Sequence, residues 1–191
     1  STEISENLVK YKDSLYCEWS PNEKVATEVA IGASVAGVRA MSCMKHVGFN
    51  VAADPTYTVS YMGVNGGLVI VVADDPGLYS SQNEQDTRMV ARAAQLPVIE
   101  PSDSAEAKEF IKIAFDLSEQ FDRPFVYRTT TRLAHSQGLV NLNERKEIED
   151  KPYEKNIRKN VMMPGNAKLR HVEIEKRNLE LAEAANTLPI N

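Results

Sequence analysis

The sequence predicts an α/β domain with a three-layer, doubly wound and mostly parallel sheet. Three observations carry that reading. Apolar runs rich in β-branched residues recur along the chain, GLVIVVA (Gly67–Ala73) being the plainest. Segments of helical periodicity separate those runs, as right-handed crossovers between parallel strands require. Charged or polar residues follow every run, which would give one edge of the sheet a polar rim where ligands of such folds collect.

Taken in order, Ser1–Lys12 reads as a helix, with Ile4, Leu8 and Val9 at helical spacing. Leu15–Trp19 is a strand candidate, followed by a helix from Ser20 to about Gly37. Arg39–Lys45 is a second strand, then a loop through Gly48 and a helix over Val51–Tyr61. After the Gly67–Ala73 strand, a polar loop (Asp74–Asp86) leads into a helix ending near Gln95. Pro97–Ile99 is a short strand. Ser102–Phe121 is strongly amphipathic, with Asp103 and Glu106 at capping-box spacing and Phe110, Ile111, Ala114, Phe115 and Leu117 on its apolar face. Phe125–Arg128 is the last strand of the series. Beyond His135 the alternation decays: Asn143–Asn160 is charged and carries Pro152, and Ala167–Asn186 is a helix with a thin stripe of Leu169, Val172 and Leu179 that needs a partner surface.

Composition narrows the function classes. The 191 residues are 42% hydrophobic and 26% charged, enough for a core. No apolar run approaches the ~18 residues of a bilayer span, and no signal peptide opens the chain; a membrane role is not expected. With 22 Lys and Arg against 27 Asp and Glu, the net charge of −5 argues against a nucleic-acid-binding surface. Cys17 and Cys43 form neither a C-x-x-C pair nor a metal signature, which suits a reducing cytoplasm.

The rim gives the candidates: Glu23, then Lys45 and His46, Asp74 and Asp75, Glu100, and Arg128 to Arg132. Glu23 closes a Ser20-x-x-Glu23 capping box with Pro21 at the favoured first helical position, a sufficient structural explanation. The sharper alternative is a carboxylate at a ligand edge, on a helix whose Ala26, Ala30, Gly32, Ala33, Ser34, Ala36 and Gly37 admit a close neighbour. His46 has no triad or metal partners in sequence, so a structural hydrogen-bonding role is the simpler one. Ser80–Asp86 reads first as a solvated loop capping the next helix. Gly63–Gly67 precedes a strand rather than a helix and does not match a phosphate loop. Gly32–Ala36 lies within a helix and lacks the last glycine of a nucleophile elbow.

WSPNEKVATEVAIGASVAGVRAMSCMKHVGFNVAADP (Trp19–Pro55), GGLVIVVADDPGLYSSQNEQDTR (Gly66–Arg88), PVIEPSDSAEA, RTTTRLAHSQG and YEKNIRKNVMMPGNAKLRHVEIEKRN together resemble the α subunit of indolepyruvate ferredoxin oxidoreductases. The resemblance runs through nearly the whole chain. It implies a thiamine-diphosphate enzyme of the 2-oxoacid:ferredoxin oxidoreductase family that oxidatively decarboxylates aryl-pyruvates and passes electrons through iron–sulfur clusters to ferredoxin. On it, residues 1–142 are the pyrimidine-binding domain without its first strand, and 143–191 a charged linker and helix toward a following domain. Glu23 falls on the acid that shares a proton with N1′ of the aminopyrimidine, favouring the imino tautomer that serves as base. His46 and Asn50 are cofactor-side candidates; Gln82, Asn83 and Arg88 are substrate or interface candidates. The Gly-Asp-Gly motif that binds diphosphate and magnesium is absent, as is the cysteine-rich [4Fe-4S] segment. The resemblance therefore places magnesium and the clusters outside this chain, with a diphosphate-binding domain, a β subunit, ferredoxin and a second copy as partners. A pyruvate- or 2-oxoglutarate-type enzyme, or a non-catalytic subunit-docking domain, are the alternatives. The last would have Glu23 facing solvent or its own helix end, whereas a cofactor carboxylate would line a shared crevice.

Overall fold

The computed structural model describes residues 2–191; Ser1, where the first expected helix begins, lies outside the described residues. Helix α1 (Thr2–Leu8) passes through a 3-10 turn (Val9–Tyr11) into an extended segment and then α2 (Glu23–Ala36). Strand β1 (Ala40–Lys45) runs directly into α3 (His46–Val51), and α4 (Ala53–Met62) returns the chain to β2 (Leu68–Asp74). There follow α5 (Thr87–Ala93), β3 (Val98–Ile99), α6 (Ser104–Phe121), β4 (Phe125–Thr130) and α7 (Thr131–Ala134). A long arm without regular structure leads to α8 (Ile157–Asn160) and α9 (Pro164–Ala185).

The strands pair in the order β1-β2-β4-β3, every pair parallel, with Ile70 opposite Ser42 on one side and Val126 on the other. This is the parallel α/β sheet that the apolar runs predict. Burial on both faces explains the continuous apolar reading of β2. Ile70 and Val72 pack with Phe49 and Ala52 of α3 and its end, and with Ala91 and Ala94 of the α5 region. Val69 and Val71 pack on the opposite face against Ala114 and Leu117 of α6. Each such side chain contributes about 1.5–3 kcal/mol when fully buried. β1 is an edge strand, and its outer rim borders a cleft rather than another strand among the described residues.

Several expectations are corrected. Leu15–Trp19 is not a strand: Leu15, Tyr16 and Trp19 are all exposed, so no buried face selects a ladder register. No loop separates β1 from the next helix, because α3 starts at His46 and carries Gly48 inside it. The Leu169, Val172 and Leu179 stripe faces solvent; α9 buries Ile174 instead, while Leu181, Leu188 and Ile190 pack against the α6 face. The partner surface that the last helix needs is thus this domain.

What holds α9 and the charged arm is mainly polar, and it gathers at the amino end of the sheet. Asp122, the left-handed C-cap of α6, accepts a bond from the Val64 amide at 2.7 Å. The same carboxylate pairs with Arg177 at 2.6 Å, Lys159 at 2.9 Å and Arg170 at 3.5 Å. Arg170 also donates to the Tyr61 and Met62 carbonyls. Fully buried Arg123 donates to Asn178 of α9 and to the Gln95 carbonyl. Burial, with Arg177 close by, draws its guanidinium down to about 10, so it stays charged at neutral pH. Upstream, the Lys151 amide donates to the Gly37 carbonyl at 3.0 Å, and a β-carbon at Gly37 would strike the Lys151 carbonyl. Asp122→Ala leaves three half-buried cations without their carboxylate. It is expected to cost about 2–3 kcal/mol in urea unfolding and to open the α8–α9 region to protease; an unchanged midpoint would show that the clasp contributes nothing.

Candidate functional site

The carboxyl end of the sheet is left clear of that strapping, and Glu23 stands on it. The α2 cap is made by Asn22, whose side chain accepts from the Val25 amide at 3.0 Å. The Ser20-x-x-Glu23 capping box of the sequence reading is therefore not formed, since helix residues start at Glu23 and Pro21 lies before the cap. Glu23 gives its helix only backbone, its carbonyl accepting from Thr27 Oγ1 at 2.9 Å. Its half-buried side chain lies across α3 instead. A β-carbon at Gly48 would fall 2.5 Å from Glu23 Oε1, 2.6 Å from Cγ and 2.7 Å from Cδ. The missing side chain at position 48 is the space that the carboxylate occupies.

The small residues of α2 divide by face. Ala30 and Ser34 are buried with Val59, Val64 and Leu68, and Ser34 Oγ donates to the Gly66 carbonyl. Val29 and Gly32 are exposed, and a β-carbon at Gly32 would meet nothing within 4 Å. Between α2 and the outer rim of β1 runs an open cleft of about 970 Å³, lined among others by Glu23, Ala26, Ala33, Cys43 and Lys45. Burial pushes the Cys43 thiol up to about 12, which keeps a thiolate out of the cleft at neutral pH.

Of the other sequence candidates, four meet at α3 and the loop after β2. His46 is buried; its Nε2 donates to the Asn83 carbonyl at 3.0 Å, and its Nδ1 is buried with no partner among the described residues. Asn50 donates to Gln85 Oε1 at 2.9 Å, and Gln85 in turn donates to Asn83 Oδ1 at 2.8 Å. Exposed Gln82 lines a shallow hollow with Lys45, Val47, Ser80 and Ser81. Arg88 is drawn elsewhere: its guanidinium holds both oxygens of Asp86 and reaches Glu100 at 3.6 Å.

The residues that hold this loop were seen in sequence only as a polar rim. Asp75 accepts from the Ser80 amide at 2.7 Å, Ser81 Oγ at 2.5 Å and Thr131 Oγ1 at 2.7 Å, with Lys45 at 3.9 Å. The Ser81 hydroxyl first, then Thr131, the Ser80 amide and Lys45 hold its carboxyl far below the usual carboxylate range. Buried Asp74 accepts from the Thr87 amide at 3.0 Å and pairs with Arg128 at 2.6 Å, and Arg128 also pairs with Glu100. Two adjacent acids directly after an apolar strand were the available signal. Gly48 was missed as a site residue because a lone glycine reads first as a turn.

Comparison with known proteins follows that geometry. The family model "Pyruvate flavodoxin/ferredoxin oxidoreductase, thiamine diP-bdg" matches residues 1–186. The indolepyruvate oxidoreductase subunit IorA of Archaeoglobus fulgidus is 51% identical over 172 residues, covering 88% of this chain and 28% of that protein. The IorA of Pyrococcus horikoshii is 47% identical over 199 residues, covering all of this chain and 31% of that protein. The chain thus spans less than a third of the length of these relatives. A 2-oxoglutarate:ferredoxin oxidoreductase from Magnetococcus marinus superposes with a TM-score of 0.72 at 14% identity, over 95% of this chain and 40% of that one, which shows a shared fold.

Two outcomes test the geometry. Gly48→Ala gains up to about 1 kcal/mol of helix propensity but must displace Glu23, so folding should be nearly unchanged while a crystal structure shows the carboxylate swung off α3. An undisturbed carboxylate would show that position 48 does not set its place. Asp75 is a lowered acid, so its charge stabilises the fold fully above the unfolded value of about 3.9 and progressively less as pH falls below it. Asp75→Asn should unfold earlier than the wild type at pH 7, with the difference narrowing by pH 3; an equal difference at both would sink the charge argument.

Proposed function

The chain belongs to the pyruvate flavodoxin/ferredoxin oxidoreductase family of thiamine-diphosphate-binding domains, and from that premise we propose that it is the aminopyrimidine-side domain of an indolepyruvate ferredoxin oxidoreductase. The observation that carries the proposal is the Glu23 side chain. It is relieved of capping by Asn22, laid across Gly48, and lines the cleft. In a non-catalytic docking domain this carboxylate would face solvent or its own helix end, whereas here it is half-buried and lines the cleft.

The residues present suit a flat aminopyrimidine ring. The cleft wall beside Glu23 is formed by Ala26, Ala30 and Ala33, which leave room against the helix, and the buried Nδ1 of His46 is a polar atom without a partner among the described residues. When bound, thiamine diphosphate would supply the carbanion-stabilising chemistry that lets a 2-oxo acid lose carbon dioxide. Glu23 would hold and return a proton at N1′ of the ring. His46 would fix the Asn83 backbone, and Asn50 the Gln85 side chain, so that the loop bounds the site on the substrate side. Gln82 and Asn83 would face substrate or a neighbouring chain. Arg88, tied to Asp86, would serve an interface rather than the ring.

The reading extends to what the longer relatives carry. A second domain would bind the diphosphate and magnesium, cluster-bearing segments would hold [4Fe-4S] centres, and a β subunit, ferredoxin and a second copy would complete a cytoplasmic assembly. The aryl-pyruvate assignment rests on the relatives' names. Among the described residues no helix is long and apolar enough to cross a membrane.

Glu23→Gln in the complete enzyme keeps the shape and removes the titrating oxygen. Turnover of indolepyruvate should fall by about 10²–10⁴-fold with assembly intact by size-exclusion chromatography, and turnover close to wild type would overturn the proposal.

A further inference from the structure

We propose that Lys45 is the residue that binds the carboxylate of the 2-oxo acid, a role that rests on the reading just given. Lys45 is the last residue of β1, three positions before Gly48, and it lines both the cleft of Glu23 and the hollow beneath Gln82. One ammonium therefore borders the place where the ring would be activated and the loop that would cover the substrate.

Its charge is less closely paired than those of Lys24, Arg88 and Arg128 along the same edge. Lys24 is held by Asp54 at 2.9 Å and Glu28 at 3.9 Å. Arg88 is held by Asp86 and Glu100, and Arg128 by Asp74, Glu100 and Asp86. Lys45 donates to a neutral carbonyl, that of Ser80, while its nearest carboxylate, Asp75, stands 3.9 Å away, beyond a hydrogen bond. Two of its three N–H donors remain for an incoming anion. About a third of its side chain is exposed, and it opens onto the hollow with Ser81 and the Gln82 amide.

Position, too, is fixed in advance. Asp75 is committed to the Ser80 amide, Ser81 and Thr131, so it orients the ammonium from a distance without saturating it. The Ser80 carbonyl holds the other side. A 2-oxo acid is a monoanion at neutral pH, and a preset ammonium at the rim gives its carboxylate a partner and leaves the ketone turned toward the cleft.

The test uses the complete enzyme. Lys45→Gln should raise KM for indolepyruvate about 10- to 100-fold, the scale of one charged hydrogen bond, with kcat within about threefold, and Lys45→Arg should recover most of the loss. Inhibition by indole-3-acetone, which has the ketone and lacks the carboxylate, should be equal in wild type and Lys45→Gln. Binding is read separately in the non-turning Glu23→Gln background, where indolepyruvate should raise the melting temperature and lose that effect when Lys45→Gln is added. An unmoved KM with an unmoved melting shift overturns the role of Lys45, as does equal weakening of the acetone, which would mean a disordered loop. Failure of the preceding proposal looks different: Glu23→Gln would then turn over normally, whatever happens at position 45.

Discussion

The site depends on a carboxylate occupying the volume that a side chain at position 48 would need. That contact forces α2 and α3 to approach closely and sets Glu23 across a neighbouring helix rather than over its own first turn. Two neighbours make it possible. Asn22 takes over the cap, and Ala30 and Ser34 let α2 settle against Val59, Val64 and Leu68. Remove Asn22 and the acid has a nearer place to go, since an unoccupied helix end attracts any nearby carboxylate.

The two ends of the sheet are treated unequally. The amino end is closed by the arm and α9, through guanidinium and ammonium bonds to backbone carbonyls and to Asp122. The carboxyl end has a loop secured from beneath by Asp74 and Asp75, and its side chains are left facing outward. Apolar packing would serve the first end as well, but bonds to carbonyls specify one register for α9, where a stripe of leucines would allow sliding. The exposed Leu169, Val172 and Leu179 fit that account, because the helix is positioned by its arginines and asparagine.

Much of the architecture was legible in sequence for a simple reason: β2 is buried on both faces and α6 on one, and burial writes itself into residue type. The rest turns on competition between near-equal local options. Ser20 and Asn22 are both good caps, and only the direction of the chain entering α2 decides between them. Leu15–Trp19 reads as a strand candidate yet has no ladder partner among the described residues, which no local pattern reveals. Gly48 reads as a break because its reason for being glycine lies 25 positions away, in Glu23. Likewise Arg88 looked available until Asp86 and Glu100 were seen to claim it, whereas the family likeness singled out Glu23 without any of this geometry.

Asp122 sits at a C-cap with φ 51 and ψ 46, where most helices place glycine. The backbone alone would prefer the smaller residue by about 1 kcal/mol. An engineer relaxing that torsion would delete the counter-charge that Lys159, Arg170 and Arg177 share, and three like charges would then repel across a half-buried gap. Local strain at this one torsion is thus the visible trace of a long-range bargain, in which a helix end is made worse so that a distant helix has somewhere to attach.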